Sequence, residues 1–238
     1  MLGYGTGNAM VLITAGLFIR PMRIALGWPT SAVTLAPVMS LVWALASPLS
    51  GVAIGRFGPR RCAIAGHLLL GCCLIALAVS PSVYFVLLVL AAAIGLISPL
   101  TNVPTYASGL ARWFERHAGA AFGIAFNGSA LVGLMAVPLV SFAITRFGWR
   151  AGYTVLAVMV LGLGLPALAG WFKDKPTASA APTAKPGQLD EIVTNPRIWL
   201  FLAIFLIGSI PLGGFMGHLQ PMLAESRVPI VTATILGM

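Results

Sequence analysis

Hydrophobic residues along this chain fall into long unbroken runs, separated by short cationic or glycine- and proline-containing turns. A helical run of roughly 20 apolar residues can cross about 30 Å of hydrocarbon. Such runs predict spans near 4–26, 33–54, 62–80, 83–109, 119–145, 151–172 and 198–217, with an eighth beginning near Ser226. From Lys173 to Pro196 the pattern changes to proline, alanine and threonine with scattered charge, which reads as a solvated linker. The predicted organisation is a six-span bundle over 1–172, a cytoplasmic linker over 173–196, and the start of a second bundle over 197–238.

The turn between the second and third runs returns ninety positions later. Ala53-Ile54-Gly55-Arg56-Phe57-Gly58-Pro59-Arg60 matches Ala143-Ile144-Thr145-Arg146-Phe147-Gly148-Trp149-Arg150 at six of eight positions. Gly58 and Pro59 supply turn geometry, and the arginines end the apolar run because a guanidinium is costly in hydrocarbon. Three spans separate the two copies, so they are expected on opposite faces of the membrane, as in a three-span unit repeated upside down. A second echo, at an offset of two hundred, pairs Pro21-Met22 and Pro29 with Pro221-Met222 and Pro229, and makes the seventh span a copy of the first.

Composition agrees with a membrane protein. The chain is 59% hydrophobic and 8% charged, whereas a soluble domain carries about 25% charged residues. Uninterrupted runs argue for helices rather than a barrel of alternating strands. The net charge of +9 does not indicate nucleic acid, because the basic residues sit at the ends of apolar runs. Of the fourteen Lys and Arg, nine fall on the side of Arg56, Arg112 and Lys173 and five on the side of Arg20, Arg146 and Arg227, which places the N-terminus and linker in the cytoplasm. Cys62, Cys72 and Cys73 lie in one apolar run without metal-ligand spacing and read as packing residues. The sequence contains no nucleotide-binding loop, metal-ligand cluster or catalytic triad, so neither an enzyme nor a cofactor is expected.

On these residues the chain resembles the major facilitator superfamily. The loop motif of Gly51, Arg56, Gly58, Arg60 and Arg61 is similar to that superfamily's loop between spans two and three, with Gly55 where an aspartate is usual. Trp113-Phe114-Glu115-Arg116-His117, then Gly123 and Gly128, then Gly148-Trp149-Arg150, resemble its monocarboxylate transporter and oxalate/formate antiporter branch. His117 stands where a second arginine is common, and Gly3-Tyr4-Gly5-Thr6-Gly7 replaces the acidic, tryptophan-bearing start of the animal carriers. The resemblance implies an all-α fold with two six-span halves, the first made of two inverted three-helix repeats, of which this chain is expected to be a truncated part. It also implies a bacterial cytoplasmic-membrane carrier that needs the second half for transport.

Arg20, near the outer end of the first span, is the leading candidate substrate residue. By position it resembles the basic residue that some monocarboxylate carriers use to meet a carboxylate, through a planar fork of donors. The alternative is that Arg20 snorkels to the interface beside Arg23. The five acids, Glu115, Asp174, Asp190, Glu191 and Glu225, lie outside the first six spans, which favours an anionic substrate, coupled to a proton or a counter-anion. Asn102 and Asn127 either line the path or bond helix to helix, as do Asn8, Thr14 and Thr105. His67 reads either as a packed histidine or as a proton carrier. Gly119, Gly123, Gly128 and Gly133 flatten the fifth span, while Pro99, Pro104 and Pro138 loosen the fourth and fifth. The expected function is secondary active transport of a small organic anion across the lipid bilayer; the alternatives are a drug or sugar carrier on the same scaffold, or a seven-span receptor or scaffold.

Overall fold

The computed structural model describes residues 1–114 and 118–172, together with positions 196, 199, 200, 203, 204 and 207, which are helical. The chain divides into two units, Met1–Pro176 and Thr177–Met238. The seventh span, the linker, the second copy of the Pro-Met echo and Glu115-Arg116-His117 fall largely or wholly outside the described residues.

Among the described residues, six apolar helices are long enough to cross a membrane: Leu2–Leu26, Thr30–Phe57, Pro59–Val79, Tyr84–Ala111, Gly119–Phe147 and Trp149–Trp171. Each boundary lies within three residues of the hydrophobicity reading. An apolar run must end where the chain turns at the headgroups, so the turn residues mark the boundaries directly. Gly58 alone joins the second and third spans, and Gly148 alone joins the fifth and sixth. Turns this short make consecutive spans antiparallel.

The two echoed turns are the same structure. Gly58 has φ 84° and ψ 154°, and Gly148 has φ 87° and ψ 173°. A side chain is strained at such positive φ, which explains the glycine at both places. Each glycine N–H bonds back to an isoleucine carbonyl, Ile54 at 3.0 Å and Ile144 at 2.9 Å. The repeated arginines also act alike. Arg60, at the start of the third span, donates from Nη2 to the Ala169 carbonyl at the end of the sixth (2.9 Å). Arg150, at the start of the sixth, donates to the Ser80 carbonyl just past the end of the third (2.9 Å). Each cation thus meets the carbonyl end of the span related to its own by inversion, where the helix dipole is negative. Spans three and six therefore run antiparallel, and the two copies of the turn lie at opposite ends of the bundle.

Half of the third span is buried. Leu70, Leu74 and Leu77 form its inner stripe, facing Leu87, Ala91 and Ile94 of the fourth span and Leu156 and Val160 of the sixth within one core cluster. Phe18 stacks on Tyr153 with centroids 4.1 Å apart, tying the first span to the sixth. On the outside, Leu45, Val52, Phe85 and Phe147 are exposed, as a surface in contact with hydrocarbon requires. The cysteines divide accordingly: Cys62 is buried, Cys73 half-buried and Cys72 exposed, so Cys72 lies on the outside of the bundle rather than in its core. Trp149 is buried beneath the stacked Arg150 guanidinium, 4.7 Å from its ring. The fifth span continues as one helix through Asn127, which keeps helical φ −61° and ψ −13°, and through Pro138.

Candidate functional site

Two spans are broken where they touch. In the first, a short helix Leu2–Tyr4 passes into a kinked segment Gly5–Ala9 before the regular helix Met10–Leu26. Gly7 leaves the helical region at φ −78° and ψ −149°. That ψ swings the next peptide plane, turning the Asn8 N–H toward Thr101 Oγ1 at 3.3 Å. Small residues allow the approach: a Cβ on Gly7 would meet the Thr101 carbonyl, and one on Gly5 would meet the Gly128 carbonyl of the fifth span.

The fourth span breaks at the matching level. Tyr84–Ile97 gives way to a 3-10 turn, Ser98–Thr101, then to extended Asn102, and helix resumes at Val103–Ala111. Pro99 and Pro104 bracket this break, and each lacks the N–H that would have continued the ladder. Side chains satisfy what the backbone cannot. Thr105 Oγ1 donates to the Pro99 carbonyl (3.1 Å), and Asn102 Oδ1 accepts from the Val103 N–H (2.7 Å). Ser98 Oγ lies 2.8 Å from Asn8 Oδ1, which bonds the two breaks to each other.

Thr6, Asn8, Ser98, Thr101, Asn102, Thr105 and His67 are all buried, forming a polar cluster inside a largely apolar bundle. Irregular backbone at membrane depth persists only when enclosed by protein or lining a watery path, and discontinuous spans mark the sites of secondary carriers. His67, on the third span, completes the cluster, with Nε2 2.9 Å from the Gly3 carbonyl. The hydroxyls, amides and freed carbonyls suit hydrogen bonding and backbone movement rather than covalent chemistry. Ser98 and Thr101 are central here, yet neither stands out as a lone residue. The recognisable signals were the glycine alternation at 3–7 and the paired prolines enclosing Ser98-Pro99-Leu100-Thr101-Asn102-Val103-Pro104.

The residues expected to bind substrate are not gathered in one place. Asn102 belongs to the break, where its side chain caps the second half of the fourth span. Asn127 is exposed on the fifth span, and its Nδ2 donates to the Gly123 carbonyl at 2.8 Å. Arg20 is exposed, about 200° around the helix from the buried Phe18. Gly128 packs against Met1, so Asn127 is level with the start of the first span and Arg20 lies about 25 Å further along it. In the loop motif, Gly51, Arg56 and Arg61 are exposed, Gly58 forms the turn and Arg60 reaches the sixth span. Of the fifth-span glycines, Gly128 receives a close neighbour, while Gly119 and Gly123 face open space.

Comparison with known proteins agrees with this architecture. The family model described as Major Facilitator Superfamily matches residues 2–238. Monocarboxylate transporter 13 of Bos taurus is 29% identical over 224 residues, covering 89% of this chain and 50% of that protein. The uncharacterized MFS-type transporter YcxA of Bacillus subtilis is 23% identical over 216 residues, covering 89% of this chain and 53% of its own length. The fujikurins efflux protein of Gibberella fujikuroi is 28% identical over 203 residues, covering 79% and 42%. The chain thus spans about half the length of these relatives.

Proposed function

The chain belongs to the Major Facilitator Superfamily, and on that premise we propose that it forms the first bundle of a secondary active transporter for a small organic anion. The observation that carries the anion assignment is the charge inventory of the six spans. Arg20 presents a guanidinium on the side of the first span turned away from the bundle core, and the described residues contain no Asp or Glu. A cation with no internal carboxylate to neutralise it is available to a carboxylate from outside. The bovine relative, a monocarboxylate transporter, points the same way.

In this reading the bundle rocks against a second one, the paired breaks of the first and fourth spans supply the give, and Asn102 and Asn127 line the path. The N-terminus and the 173–196 linker face the cytoplasm, on the lysine and arginine distribution. A bacterial cytoplasmic membrane is the proposed location. Uptake of labelled lactate, pyruvate or oxalate by the full-length protein in proteoliposomes tests the assignment. A charge-assisted contact is worth about 1.5–3 kcal/mol, so Arg20→Ala should reduce uptake roughly 10- to 100-fold, with Arg20→Lys in between. Unchanged uptake in Arg20→Ala would remove Arg20 from the site. The fungal efflux relative favours a second reading, a carrier of another substrate class, which a substrate panel separates from the first.

A further inference from the structure

We propose that His67 is a proton-binding site whose occupancy sets how the broken start of the first span is held against the third and sixth. The proposal rests on geometry. His67 is fully buried, with Nδ1 3.0 Å from the Ala63 carbonyl and Nε2 2.9 Å from the Gly3 carbonyl. Both partners are pure acceptors. A neutral imidazole carries one N–H and one lone pair, so it satisfies one carbonyl and turns its lone pair on the other. The imidazolium donates to both. This arrangement is therefore the one that a bound proton completes.

The surroundings are built around that ring. His67 lies between the kinked segment Gly5–Ala9 of the first span and the π-helical segment Val160–Gly164 of the sixth. Gly164 allows the contact, because a Cβ there would meet Thr6 Oγ1 and stand 2.9 Å from His67 Cδ2. A π segment such as that of the sixth span recurs at functional positions, where one extra residue lets a helix change its local register. From the first span, the titratable groups nearby are the Met1 amino group and Tyr4; from the fourth, Tyr106; on the third itself, Cys62 and, two turns away, Arg60. The sixth span contributes none at Gly164. No carboxylate exists among the described residues, so the charge of His67 answers to carbonyls rather than to a counter-ion.

Tyr106 supplies a second observation. Its hydroxyl is buried without a hydrogen-bond partner and lies beside Gly3, 3.1 Å from where a Cβ on Gly3 would be. When a proton from water binds Nε2, the new N–H donates to the Gly3 carbonyl and pins the Leu2–Tyr4 turn to the third span. When that proton returns to water, the lone pair repels the carbonyl, and the Tyr106 hydroxyl is the donor at hand. Gly7, already outside the helical region, is the joint about which the turn moves. The coupling ion of the carrier is then the proton, a step that rests on the transport reading, whereas the protonation itself does not.

The test uses the full chain in lipid nanodiscs, labelled with nitrogen-15 histidine and carrying His117→Gln and His218→Gln, so that His67 is the single histidine. Nitrogen NMR across about pH 5 to 9, the range in which imidazole changes charge, reads both ring nitrogens. We expect two protonated nitrogens at the acid end and loss of one N–H signal as pH rises. A single neutral tautomer throughout overturns the proposal. A second arm measures uptake of labelled lactate by the unaltered protein with and without an imposed pH gradient. Uptake without titration of His67 refutes the proton site and leaves the carrier reading standing. Titration without uptake supports the proton site and counts against the carrier reading. Titration with gradient-independent uptake overturns the coupling step.

Discussion

Replacing Thr101 by valine isolates the bond that links the two broken spans. Valine keeps the size of threonine but puts a methyl where Oγ1 accepts the Asn8 N–H at 3.3 Å. Oγ1 also donates to the Ser98 carbonyl at 3.2 Å within the fourth-span turn. Two magnitudes bear on the outcome. A hydrogen bond between membrane helices contributes about 0.6 kcal/mol on average, because the unfolded chain finds other partners in the bilayer. A buried polar group left without a partner costs about 1–3 kcal/mol. The second governs here, since ψ of −149° at Gly7 directs the Asn8 N–H at Thr101 and Thr101 is fully buried. We expect Thr101→Val to cost about 2 kcal/mol, lowering the apparent unfolding midpoint by about 4–8 °C for a bundle of this size. Thr101→Ser retains the oxygen and should recover most of that loss. The assay is the temperature at which half of the purified full chain ceases to be monodisperse in detergent. A Thr101→Val midpoint equal to the unaltered protein's, or a serine variant as unstable as the valine one, would refute the claim that this bond secures the break.

Three further outcomes follow from the packing. Gly5→Ala places a methyl on the Gly128 carbonyl, backbone that cannot rotate away, so it should cost about 1–3 kcal/mol or more and reduce the monodisperse yield; Gly55→Ala, in a helix and in open space, is the control and should lower neither stability nor yield. Arg60→Gln and Arg150→Gln each remove a cation from the carbonyl end of an inversion-related span and should both lower the midpoint, by about 1 kcal/mol's worth, Arg150→Gln by more because it also loses the stack on Trp149; a loss confined to one of them contradicts the equivalence of the turns. Cysteines introduced at the echoed positions 55 and 145 should react with a membrane-impermeant thiol reagent from opposite sides of the bilayer, and labelling of both from one side would dismantle the inverted arrangement.

Much of the fold is legible in the residues themselves. The six spans can be read from the sequence because hydrocarbon requires an apolar run of fixed minimum length, and the turns between them expel arginine, glycine and proline to the boundary. The equivalence of the Gly58 and Gly148 turns is legible for a similar reason: a lone glycine that reverses the chain imposes a backbone conformation other residues avoid. The kink near Pro99 and Pro104 follows from the missing N–H groups, although the same logic does not hold at Pro138, where the helix continues. Tertiary structure alone decided the rest. Whether Asn8 meets Ser98 depends on chain segments ninety residues apart arriving at one depth, and no local pattern encodes that meeting. Arg20 looks the same in the sequence whether it faces the core or away from it, since its span is apolar all round. His67 reads as one more residue of an apolar helix until the Gly3 carbonyl is brought to its second nitrogen. In a bilayer, apolarity dictates which segments cross, but it is nearly indifferent to which faces meet. Close backbone contacts and a few buried hydrogen bonds choose those faces, and they exist only once the helices have assembled.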